Sequence, residues 1–247
     1  MEHIATLALG ATAGLLIGCV GIGGVILVPA LVYLAGQSFQ TAIAAAMCAF
    51  VASGLVGAYA YAKAGSLRWN MAAWTWVGAL PCAFAGALLV NVAAPALLEL
   101  MIGLLTAGSG LYALIVRRDV RAMRERSLSA PALTIIGAVT GFLSALTGTG
   151  GPLVLIPILV SLEVPMLAAL GLAQAIQLPV AAAATGGSVL AGTLEVPMAL
   201  MLPSGIAIGT WVGAKAAHGL PTDTLRKSVA VLLVLVGGAM LVRLAAA

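Results

Sequence analysis

The charged residues of this 247-residue chain leave long gaps: none falls between Glu2 and Lys63, Arg68 and Glu99, Arg126 and Glu163, or Glu163 and Glu195. About 20 apolar residues in a helix cross a hydrocarbon core about 30 Å thick, so each gap is wide enough to span one. Apolar residues make up 63% of the chain and charged residues 7%, against roughly 25% charged in a soluble domain. These figures exclude a water-facing globule, a disordered chain and a nucleic-acid-binding protein. The net charge of +4 does not alter that reading. Arg117, Arg118, Arg121, Arg124 and Arg126 crowd one loop, and in membrane proteins basic residues collect on the cytoplasmic side.

Charge-free stretches trimmed at glycine and proline clusters give six expected spans, at 40–62, 70–91, 96–116, 166–190, 196–218 and 226–246. Residues 4–36 and 131–162 are each too long for one simple span, too short for two, and carry a glycine cluster near the middle. The first apolar stretch lacks a basic start and a small-residue cleavage site, so the start is expected to remain in the mature protein. Cys19, Cys48 and Cys82 are isolated in apolar sequence and read as small buried hydrophobes rather than metal or redox ligands.

A shift of 127 residues aligns GATAGLLIGCVGIGG (10–24) with GAVTGFLSALTGTGG (137–151), seven of fifteen positions being identical, and aligns AGSL (64–67) with AGTL (191–194). The expected organisation is a first repeat over 1–116, a basic cytoplasmic linker over 117–130 and a second repeat over 131–247. If 131–162 enters and leaves on the cytoplasmic side, ten of the eleven basic residues are inside and Arg243 alone is outside. A single crossing there would leave eight of the eleven inside. The fold expected is therefore all-α and membrane-embedded. It has two inverted-topology repeats, each a re-entrant or broken helical hairpin plus three transmembrane helices, with both termini outside. Equal hairpin arms of about 14 residues would reach about 21 Å, placing the tips deep in the bilayer.

Those tips hold Gly21, Gly23 and Gly24 in one half and Gly148, Gly150 and Gly151 in the other. Glycines there permit a turn and expose peptide N–H groups. The helices restarting toward Pro29 and Pro157 aim positive dipole ends at the same place, so two such ends meeting at midplane would form an anion site. The alternative is that the glycines only let helices pack closely. GCVGIGG lacks the Lys-Ser/Thr of a phosphate-binding loop, and there is no strand or acidic partner for a dinucleotide fingerprint, so neither nucleotide nor flavin is implied.

At matched positions the second half carries the polar groups: Ser144, Thr147 and Thr149 stand against Ile17, Val20 and Ile22, and Gln174 and Gln177 against Met47 and Phe50. The glutamines are three apart on an apolar helix and share a face. Desolvation makes that face an interior one. Either they hydrogen-bond between helices, or they donate amide N–H groups to a substrate oxyanion with Thr147, Thr149 and the glycine backbone. Thr41 and Ser53 are weaker candidates, Ser53 being able to back-bond to its own helix. Trp69, Trp74 and Trp76 suit an aromatic belt. No acidic residue falls at mid-depth, Glu99 being close to the outer end of its helix, which disfavours a carboxylate proton relay. Uniport, channel-like exit or coupling through the substrate's own protonation remain open.

GCVGIGGVILVPAL, its echo TGTGGPLVLIPIL after the basic loop, and the terminal LPSGIAIGTWVGAKAAHGLPTDTLRKSVAVLLVL resemble the TauE/SafE family of membrane permeases, the sulfite exporters. The resemblance covers nearly the whole chain. Val25 stands where a third glycine is common in that family, and Pro152 holds the matching place in the second half. The resemblance implies transport of small sulfur-containing anions such as sulfite, sulfonates or sulfoacetate across a bacterial cytoplasmic membrane, often outward; the residues themselves call for no cofactor and no metal. A membrane scaffold or accessory subunit is the competing reading. An intramembrane enzyme is the poorest, since no catalytic set occurs at membrane depth.

Overall fold

The computed structural model describes residues 2–20, 24–115, 128–217 and 222–246. Among them are ten α-helices and no strand: α1 (Glu2–Val20), α2 (Gly24–Tyr33), α3 (Phe39–Lys63), α4 (Trp69–Val90), α5 (Pro95–Ile115), α6 (Ala130–Thr147), α7 (Pro152–Ser161), α8 (Met166–Leu190), α9 (Val196–Ala217) and α10 (Thr222–Ala246). The six stretches expected to span fold as the helices α3, α4, α5, α8, α9 and α10, with ends shifted by at most a few residues. By length and composition, α3, α4, α6, α8 and the Pro95–Tyr112 part of α5 are long and apolar enough to cross a membrane. The basic residues Arg117 to Arg126, and with them most of the expected linker, lie outside the described residues, as do Gly21 and Gly23.

The two anomalous regions each fold as a helix pair, but the arms are unequal. The first pair has 19 and 10 residues, the second 18 and 10. The expectation of equal 14-residue arms is therefore corrected. In the second pair the turn falls where backbone freedom permits it, not at the centre of the apolar stretch. Gly148, Gly150 and Gly151 take φ of +69°, +78° and +115°, a region closed to most L side chains, and they turn the chain over four residues.

Close backbone contact organises the packing. Gly10, Gly14 and Gly18 of α1 face Gly205, Gly209 and Gly213 of α9, and the two helices run in the same direction. A Cβ on Gly14 would fall 2.3 Å from Ile206 O, and one on Gly209 2.1 Å from Ala11 O. The same seam recurs between α4 and α6, where a Cβ on Gly78 would fall 1.9 Å from Thr134 O and one on Gly137 2.1 Å from Thr75 O. Small residues let membrane helices approach and gain dispersion contacts that lipid cannot supply.

At the centre, α3 and α8 cross antiparallel, Gly54 lying against Leu178 and Gly57 against Gln174. On the periphery α5 and α10 are antiparallel too, with Gly103 against Leu241 and Gly110 against Ala230. Both central helices are buried through most of their length, whereas α4 exposes Trp74, Val77, Leu80 and Leu88, an apolar surface suited to lipid. The aromatic-belt expectation fits exposed Trp69 and Trp74. Trp76 is instead partly buried, packs on the core and keeps its indole Nε1 buried. On α9, Lys215 Nζ stands 4.9 Å over the Trp211 ring, which stacks on Tyr59.

Candidate functional site

The turn between α6 and α7 sits beside the midpoints of α3 and α8. Gly148 caps α6 in the left-handed conformation, and the Gly148 and Thr149 N–H groups both bond Ser144 O. Gly151 then opens α7, whose first residue, Pro152, has its fixed φ suited to that position. A Cβ on Gly150 would fall 2.8 Å from Phe50 Cδ2 and 3.0 Å from Gln177 Nε2, and one on Gly151 would meet Ile176 at 3.1 Å. From the other half, a Cβ on Gly24 at the start of α2 would lie 2.8 Å from Thr149 O and 2.9 Å from Phe50 Cζ. The N-terminus of α2 and the α6–α7 turn thus meet around Phe50 and Gln177.

The two glutamines, paired by spacing, have different surroundings. Gln174 Nε2 donates to Ile17 O at 2.9 Å, and Tyr61 OH donates to Gly18 O at 3.3 Å. Both acceptors belong to the last turn of α1, whose carbonyls have no intrahelical donor. Gln174 therefore uses an amide hydrogen to cap a helix, while its buried Oε1 has no partner. Gln177 is 1% exposed, yet neither its Nε2 nor its Oε1 has a hydrogen-bond partner. Leaving such a group unpaired costs about 1–3 kcal/mol.

The threonines are engaged. Thr147 Oγ1 donates to Leu143 O at 2.7 Å and lies 3.1 Å from Thr149 Oγ1. With Thr147 donating to Leu143 O, its single hydroxyl proton is used, and Thr149 is free to donate to Thr147 Oγ1. Ser144 Oγ and, one turn earlier, Thr140 Oγ1 are fully buried without partners. Thr140 is absent from the sequence-derived candidates, although its four-residue spacing from Ser144 places it on the same face. Gly150 and Gly151 donate no backbone hydrogen bond to another described residue.

The weaker candidates have other work. Thr41 belongs to the start of α3, where Ser38 Oγ accepts from its N–H at 3.1 Å, a side-chain N-cap. Ser53 does not back-bond to its own helix. It accepts from Thr210 Oγ1 at 3.1 Å, tying α3 to α9. Cys19 Sγ contacts Gly213 O at 3.1 Å within the α1–α9 seam. Glu99 accepts from the hydroxyl of Tyr33 at the far end of α2, away from the turn.

A bundle of long apolar helices enclosing a turn and unpaired polar side chains is the architecture of a multi-pass membrane protein. The sequence model of the sulfite exporter TauE/SafE family matches residues 6–240, and the chain belongs to that family of membrane transporters. It is also similar to a probable membrane transporter protein of Methanocaldococcus jannaschii, at 24% identity over 94% of this chain and 92% of that protein. No solved structure matches it.

Proposed function

We propose that the protein moves small sulfur-containing oxyanions, such as sulfite, sulfonates or sulfoacetate, across a bacterial cytoplasmic membrane. The substrate binds where the start of α2 meets the α6–α7 turn. One observation carries this reading: Gln177 is buried at the midpoint of a central helix with both ends of its carboxamide unpaired, against Gly150. Its Nε2 hydrogens, the Ser144 hydroxyl and the peptide N–H groups of Gly150 and Gly151 are donors an oxyanion would satisfy, and the positive ends of α2 and α7 add to them.

The topology belonging to this proposal is two inverted repeats, 1–116 and 131–247, with both termini outside. It is supported by the directions of the helices. Related by the 127-residue shift, α3 and α8 cross antiparallel, as do α5 and α10, while α1 lies on α9 as α6 lies on α4. A half-turn about an axis in the membrane plane would produce these relations. An axis along the membrane normal would leave related helices parallel.

The test is flux into proteoliposomes. Sulfite or a small sulfonate should enter saturably, and Gln177→Ala should raise the half-saturating concentration about tenfold or more, as expected for the loss of a charge-assisted hydrogen bond. Unchanged half-saturation in Gln177→Ala would remove the site. A scaffold or accessory subunit is the second reading, favoured by the glycine seams and by the structural use of Gln174. It predicts no flux of any anion and stable co-purification with a partner enzyme.

A further inference from the structure

We propose that the groove between α2 and α10 binds an anionic phospholipid, one acyl chain lying in the groove and the phosphate on Arg243. The groove is a cavity of about 420 Å³ walled by Ile26, Pro29 and Ala30 of α2 and Val236, Ala239 and Met240 of α10, with Tyr33 and Arg243 at one end. Its surroundings face lipid: Leu34, Leu235 and Val242 are 80%, 64% and 70% exposed.

The matching junction in the other half of the chain is tied by hydrogen bonds, and the tie has a chemical cause. Pro157 in α7 lacks the N–H that would bond Leu153 O. Ser109 of α5 donates to that carbonyl at 3.4 Å, and Tyr112 donates to Pro157 O at 3.3 Å. The residues 127 positions further on are Val236 and Ala239, which have no hydroxyl and both line the groove. Pro29 breaks the α2 ladder as Pro157 breaks that of α7, but Val236 and Ala239 have no side-chain donor for it, and the groove lies beside them.

At the end of this apolar channel Arg243 carries a full charge in the last turn of α10. Its guanidinium stacks 4.5 Å from the Tyr33 ring and forms no ion pair with a described residue. Glu99, the acidic group nearby, is engaged with the Tyr33 hydroxyl. A long apolar slot ending in an unpaired cation at helix-end depth matches a phospholipid. A soluble anion would gain only the charge, whereas each buried methylene adds about fourfold in affinity.

The experiment uses the full-length protein in detergent. It reads lipid adducts by native mass spectrometry and melting temperature with phosphatidylglycerol, phosphatidylcholine of the same acyl chains, or inorganic phosphate. Phosphatidylglycerol should be retained about fivefold better than phosphatidylcholine, the effect of one basic contact, and should raise the melting temperature. Inorganic phosphate should do neither. Arg243→Gln should bring phosphatidylglycerol down to the phosphatidylcholine level, and Ala239→Trp, which fills the groove and keeps Arg243, should reduce retention of both. Equal retention of the two lipids by the unaltered protein, unchanged retention in Arg243→Gln, or stabilisation by inorganic phosphate alone would overturn the proposal. If Arg243→Gln does not fold, Ala239→Trp decides: undiminished phosphatidylglycerol retention overturns it.

Discussion

Gln174 and Gln177 have the same side chain, share a helix face and are both buried, yet a single hydrogen bond separates their roles. Gln174 Nε2 closes the carbonyl end of α1 through Ile17, so Gln174→Ala removes a donor and leaves that carbonyl buried and unpaired. A loss of about 1–3 kcal/mol follows, measurable as a lowered unfolding temperature in detergent, with the half-saturating substrate concentration little changed in the protein that remains folded. Gln177→Leu removes two unpaired polar atoms at similar volume. Its expected result is the opposite pattern, stability kept or raised and substrate binding lost. An unfolding temperature lowered equally by both substitutions would show that Gln177 is as structural as its neighbour. From the sequence the pair could be placed on one interior face. Which of them was occupied depended on where the last turn of α1 came to rest.

At the scale of elements, glycine does two separate things. In the α6–α7 turn it supplies backbone angles. In the α1–α9 and α4–α6 seams it supplies the absence of a side chain. Gly78→Ala places a Cβ 1.9 Å from Thr134 O, a backbone atom that cannot step aside without moving α6, and should cost about 1–3 kcal/mol or more. Gly108 and Gly186 are helical but have nothing within 4 Å of a Cβ. Gly108→Ala and Gly186→Ala should therefore stabilise by roughly 0.5–1 kcal/mol. Thermal unfolding of the three variants checks this. A destabilised Gly186→Ala would mean that the exposed face of α8 packs against something else. The glycine clusters at the turns are conspicuous in the sequence because they are dense. The seams, spread at four-residue intervals, show as seams only once the partner helix is in place.

For the whole molecule, the proposed topology has a direct readout. In a variant with Cys19, Cys48 and Cys82 replaced by alanine, Ala64→Cys between α3 and α4 should react with a membrane-impermeant thiol reagent only from the cytoplasmic side. Ala35→Cys and Ala191→Cys should react only from outside, all three positions being exposed. Labelling of Ala35→Cys and Ala191→Cys from opposite sides would contradict the inverted arrangement. A second expectation follows from the lack of formal charge around Gln177. The desolvation penalty of an ion grows with the square of its charge, and peptide dipoles and amides offset one charge far better than two. Monoanionic sulfonates should therefore be carried at least tenfold better than a dianion of similar size such as sulfate, as competition in the flux assay would measure.

The sequence by itself determined that the chain lies in a membrane, where its long helices run, and which stretches cannot be simple spans. Each of these follows from local composition, because a bilayer penalises every charge and every unpaired peptide group wherever it falls. The family could also be read from local motifs. Only the tertiary structure decided the unequal arms of the two helix pairs, the α1–α9 and α4–α6 partnership, the contact of Gly24 with the distant turn, and the division between a glutamine that caps a helix and one left without a partner. Apart from the unequal arms, those outcomes depend on pairs of residues more than 50 positions apart coming within hydrogen-bond or van der Waals distance. Periodicity along a single helix carries no information about which residue will stand opposite.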